Sequence, residues 1–164
     1  MAEIPLIPYI LSAVLASLGF IIGYILLKIA PEEQKPLGKP LAIIRHAAFF
    51  GSVVVGLWTV ILPLKAAIIL FTCILFFLIK EDHFPRVRKL AILIFFGFLF
   101  ASGSSYQTAF MLQFLCIFLY GLTTTIIDLT KKTNFLRISW PYLGFFASAL
   151  AHFIIFFSSF EGTL

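Results

Sequence analysis

The feature that most constrains this chain is a succession of apolar stretches, most of them about twenty residues long, broken by short segments that hold nearly all of its charge. Of its 164 residues 62% are hydrophobic and 12% are charged, with a mean hydropathy of +1.10. A water-soluble domain needs charge on about a quarter of its residues to cover its surface. Charge this sparse calls for lipid as the solvent, and the backbone must then satisfy its own hydrogen bonds, which a helix does within one segment. The expectation is an all-α integral membrane protein: one polytopic domain over residues 1–164, with loops too short for a separate soluble domain.

A helix needs roughly 20 apolar residues to cross about 30 Å of hydrocarbon. That rule places six spans, at about residues 7–29, 41–62, 64–79, 90–102, 107–130 and 142–160. The first stops at Pro31, and Pro40 stands in the opening turn of the second, where proline is tolerated. Pro63 divides the second span from the third, because one helix over 41–79 would reach about 58 Å. The third is short, with Lys65 and Lys80 able to snorkel from its ends. Ser139 is placed to cap the sixth. The N-terminal flank, Met-Ala-Glu, has no Lys or Arg, and the run over 4–30 exceeds a signal-peptide core, so it reads as the first membrane helix.

Orientation follows from the charges. Lys28, Lys35, Lys39 and Arg45, then Lys80, Arg86, Arg88 and Lys89, then Lys131, Lys132 and Arg137 fall on one side, and Lys65 alone falls on the other. The crowded side is cytoplasmic by the positive-inside rule, which puts both termini outside and requires an even number of spans. The layout is three helical hairpins, each with a basic cytoplasmic loop. Tyr9, Trp58 and Tyr106 at one boundary and Trp140 and Tyr142 at the other suit aromatic belts. The location is a plasma membrane, with the endoplasmic reticulum as the alternative.

Small residues recur at helical spacing, where they let helix backbones approach in lipid. Ser12, Ala16, Gly19 and Gly23 line the first span, Ala48, Ser52 and Gly56 the second, and Gly97, Ala101 and Ser105 the fourth. They serve packing within one bundle, or, for the first span, an oligomer interface.

The fifth span differs. At 100° per residue, Tyr106, Gln113, Cys116, Tyr120, Thr124 and Asp128 share one face within about 120°. The sixth presents Gly144, Ser148, His152 and Ser159 on one face, with His152 near the depth of Tyr120. Polar groups at mid-membrane are costly and face a bundle interior or a wet cavity. The two faces either wall a pathway or ligand pocket, with His152, Tyr120, Gln113, Cys116, Thr124 and Ser148 as its residues, or bond each other as packing. Asp128 is one turn from Lys131 and Lys132, which suggests a local ion pair.

Cys73 and Cys116 form no CxxC or other ligand set, so no disulfide framework and no metal is expected. Glu81, Asp82 and His83 read as a solvated loop cluster, and His46 and His152 lie at different depths, against a haem pair. The chain has no Gly-rich phosphate loop, no HExxH and no GxSxG, so neither a cofactor nor enzyme activity is indicated. The basic residues follow the loops rather than a nucleic-acid patch. Two functions remain. One is binding or conduction of a small neutral or weakly polar solute between the fifth and sixth spans. The other is a non-catalytic accessory or scaffold role in a membrane complex. The expected partners are the lipid bilayer and a homo-oligomer or membrane-complex subunits.

Overall fold

A computed structural model describes residues 5–59, 85–104, 106–128, 142–152 and 154, the side chains of 85–88 excepted. Among these residues the regular structure is all helical: α1 over Leu6–Ile29, α2 over Gln34–Thr59, α3 over Pro85–Gly103 and α4 over Gln107–Asp128. A 3-10 turn, Pro31–Glu33, joins α1 to α2, and residues 142–152 are helical as well. Among the described residues three segments are long and apolar enough to cross a membrane: Leu6–Ile29, Pro31–Thr59 and Gln107–Asp128. The apolar part of α3, Lys89–Gly103, is shorter, a rise of about 22 Å. The expected third span with Lys65 and Cys73, the 81–83 cluster, the 131–138 loop, Ser139, Trp140 and Ser159 lie outside the described residues.

Local chemistry sets most helix ends. α1 stops at Ile29, two residues before Pro31, whose ring and missing N–H end a helix. α2 departs from expectation by starting at Gln34 rather than near residue 41, so that Pro40 lies inside it. Pro36 falls in its first turn, where N–H groups have no helical partner to lose. Pro40 deletes the bond to the Pro36 carbonyl, and both residues are exposed where a polar surrounding can take that oxygen.

α4 is the hub, packed on α1, α2 and α3. The pairings give the directions. Tyr9 meets Phe110, Gly19 meets Phe118 and Gly23 meets Leu122, so α1 and α4 run parallel. Ser52 meets Gln113 while Arg45 meets Asp128, so α2 opposes α4. Lys89 also reaches Asp128 and Gly103 lies against Phe110, so α3 runs with α2. Thr59 and Pro85 therefore sit at opposite ends of the bundle. Gln34 and Arg45, about 16 Å of helical rise apart, both reach the last turn of α4, at Ile126 and Asp128. The opening of α2 thus crosses the end of α4 obliquely.

The helical stretch 142–152 packs against α1 and α3. Its Tyr142 ring stacks on Phe20 of α1 at 4.2 Å, and Gly97 of α3 lies under the Phe145–Ala149 backbone. The core runs through Phe96, Leu99 and Phe100 of α3, Phe110, Ile117 and Tyr120 of α4, and Phe145. Tyr9 belongs to it too. Placed by its sequence position in an outer aromatic belt, it is instead 1% exposed, packed on Phe100 and Phe110, with its hydroxyl donating to the Ala149 carbonyl at 3.0 Å. A buried tyrosine needs a hydrogen-bond partner, and the Ala149 carbonyl on the neighbouring helix supplies one. Trp58, by contrast, is 68% exposed near the end of α2.

Candidate functional site

Among the described residues, the polar face of α4 is where several polar side chains align inside the bundle. Gln113 is fully buried. Its Nε2 donates to the Ser52 carbonyl at 2.8 Å, and its Oε1 accepts from Ser52 Oγ at 2.5 Å. This reciprocal pair joins α2 to α4 and fixes the orientation of the amide. One turn along, Cys116 Sγ lies beside Gly51, where a Cβ would come within 3.2 Å of it. Tyr120 then packs edge-on to Phe96 at 4.7 Å and near Phe49 at 6.5 Å.

Thr124 follows. It is buried, and its Oγ1 has no hydrogen-bond partner, the one such buried side-chain atom among the described residues. Below it the face ends at Asp128. Arg45 Nη1 donates to one carboxylate oxygen at 3.0 Å, and Lys89 Nζ to the other at 2.9 Å.

Among the described residues the polar faces of the fifth and sixth spans are not brought together as one seam. The α4 face is turned to α2 and α3. The polar residues of 142–152 meet α3: Ser148 Oγ donates to the Ile94 carbonyl at 2.7 Å, and the His152 ring stands edge-on to Phe98 at 5.0 Å. His152 Nδ1 lies 2.9 Å from the Ser148 carbonyl of its own helix. The segment meets α4 at Tyr142, which lies near Thr125. A short connection between antiparallel helices makes them neighbours, but leaves their rotation to side-chain packing.

Three partners, Arg45, Lys89 and Ser52, escaped the sequence reading. Lys131 and Lys132, expected to pair with Asp128, lie outside the described residues; among these, Asp128 pairs with Arg45 and Lys89. The signal was present, because the basic split already puts the starts of the second and fourth spans at the same end as Asp128. Ser52 was read as a small packing residue, and nothing in its spacing marks it as the partner of Gln113.

The small face of α1 has a definite use. Ala16, Gly19 and Gly23 are buried and Ser12 is half-buried. A Cβ at Gly19 would run into the Phe118 carbonyl oxygen, and one at Gly23 would lie 2.6 Å from that of Leu122. That face packs on α4 within one chain, the first of its two readings.

Among the described residues no three His, Cys, Asp or Glu side chains are grouped to hold a metal ion. Comparison with protein-family models, curated proteins and solved structures gives no match. The functional reading rests on the residues themselves.

Proposed function

We propose that this chain is a six-crossing membrane protein that binds or passes a small neutral or weakly polar solute along the polar face of α4. The observation that carries this reading is the Thr124 hydroxyl, buried on that face with no partner. Leaving such a group unmet costs about 1–3 kcal/mol, and a hydroxyl or amide of a solute would remove the cost. The Ser52–Gln113 pair then forms the constriction, about three turns from Thr124. The parallel course of α2 and α3 supports a crossing between them, and hence an even number of spans. Lys28, Lys35, Lys39, Arg45 and Lys89 fall at one end, which supports a cytoplasmic basic side in a plasma membrane. An accessory-subunit role would have to use the basic loops, since the small face of α1 is taken up by α4.

Thr124→Val tests the reading, because it removes the hydroxyl and nearly keeps the shape. The variant melts at or above the wild-type temperature in detergent, while urea or glycerol permeability of proteoliposomes falls about tenfold, the equivalent of 1.4 kcal/mol. Permeability equal to wild type, or to empty liposomes for both proteins, refutes the pathway. Solute retention in native mass spectrometry reports on binding without passage.

A further inference from the structure

We propose that Arg45 and Lys89, held beside each other by Asp128 at the basic end of the bundle, form a binding site for a phosphate group. The site lies at the end of the α4 polar face and uses neither Thr124 nor the Ser52–Gln113 pair.

The first argument is charge. Two cations share one carboxylate, so the cluster keeps one positive charge. The second is donor capacity. Arg45 spends one N–H on Asp128 out of five, and Lys89 one out of three. Among the described residues neither side chain has another partner. Each carboxylate oxygen takes one cation, which sets the guanidinium and the ammonium around a common centre and leaves their other donors unspent.

The third argument is the setting. The Arg45 side chain is 18% exposed and that of Lys89 39%, so the cluster is shielded on the Arg45 side and open on the Lys89 side. Charge in a partly desolvated place acts more strongly than on an open surface. The forked donors of arginine match phosphate oxygens, and lysine adds a point charge. Nearby, Lys28, Lys35 and Lys39 outnumber Glu32 and Glu33 on the exposed stretch joining α1 to α2, and this raises the local concentration of anions. The cluster also marks the end of α4 and the start of the apolar part of α3. At that depth a phosphate can come from a lipid headgroup or from a soluble phosphate, and the recognition chemistry is the same.

Two arms of one experiment separate the sources. The full chain in neutral detergent is titrated with inorganic phosphate against chloride at constant ionic strength, with binding followed by calorimetry. Separately, native mass spectrometry compares retention of phosphatidic acid with that of phosphatidylcholine. Saturable binding is expected in at least one arm. Arg45→Gln and Lys89→Gln each weaken it about tenfold, the effect of one close charge in a partly shielded site. Asp128→Asn strengthens it, because it frees two donors and removes a negative charge. Lys35→Gln, an equal charge loss on the exposed stretch, changes it less than about twofold. Should Arg45→Gln fail to fold, Arg45→Lys, which keeps the charge without the fork, still weakens binding severalfold. Phosphate binding alone identifies a soluble ligand, and lipid retention alone a headgroup; both support the site. No saturable binding in either arm overturns it, as does an effect of Lys35→Gln equal to that of Lys89→Gln.

Discussion

Toward α1, α4 presents Phe118, Gly121 and Leu122 to a face of alanine and glycine. Toward α2 it presents Gln113, Cys116, Tyr120 and Asp128 to Ser52, Gly51, Phe49 and Arg45. The first contact is made by close fit, with the Gly19 backbone lying against the backbone of Phe118. The second is made by paired polar groups and a shared carboxylate. Lipid removes the hydrophobic drive for association, so helices must cohere by close packing or by polar pairs, and this bundle uses one on each side of a single helix. A shape contact fails when volume is added. A polar contact fails when one partner is removed.

The largest effect is expected from adding volume to the shape contact. Gly19→Leu has no side chain to displace, only the Phe118 backbone, so α1 must move away from α4. The loss is about 3 kcal/mol, the upper end for overpacking, and appears as a large drop in melting temperature in detergent. A melting curve like that of wild type would mean that the close approach of α1 and α4 is wrong.

Next comes the charged end of the polar contact. Asp128→Ala leaves Arg45 and Lys89 without their common partner. The cost is about 1–3 kcal/mol, between that of an exposed pair and that of a buried one. High salt weakens the wild-type cluster and so narrows the gap between the two proteins, whereas the Gly19 defect is insensitive to salt. A salt-independent defect in Asp128→Ala would place its role elsewhere.

The smallest effect sharpens the comparison most. Ser52→Ala and Gln113→Leu each strand a buried polar group of the other residue, yet the double variant strands fewer than their sum implies. A double-mutant cycle is expected to give a coupling of about 0.6–1.7 kcal/mol, the range for interhelical hydrogen bonds in membranes. Zero coupling would show that the two residues do not form a pair.

Much of the helical layout was legible beforehand. The fifth span was expected over 107–130 and α4 covers Gln107–Asp128; the first was expected over 7–29 and α1 covers Leu6–Ile29. Hydropathy reads such segments well because lipid leaves few alternatives to a helix. The start of α2 was read late because its opening turns are polar and carry two prolines, and neither feature forbids a helix that lies outside the apolar layer. Within the site, the polar face of α4 was visible from its spacing alone, since side chains four residues apart share a face in any helix.

What that face meets was not visible. Ser52, Arg45 and Lys89 come from three separate stretches of chain, and their meeting with α4 depends on how each helix is rotated about its axis. Composition and spacing alone determine that this chain is helical, apolar and polar along one stripe, because each property depends on residues within a single segment. Tertiary structure alone decides that α1 spends its glycines on α4, that Tyr9 is core rather than belt, and that Asp128 gathers two cations. Those outcomes follow from packing between segments, where many rotations bury similar apolar area and only steric fit and hydrogen-bond satisfaction choose among them.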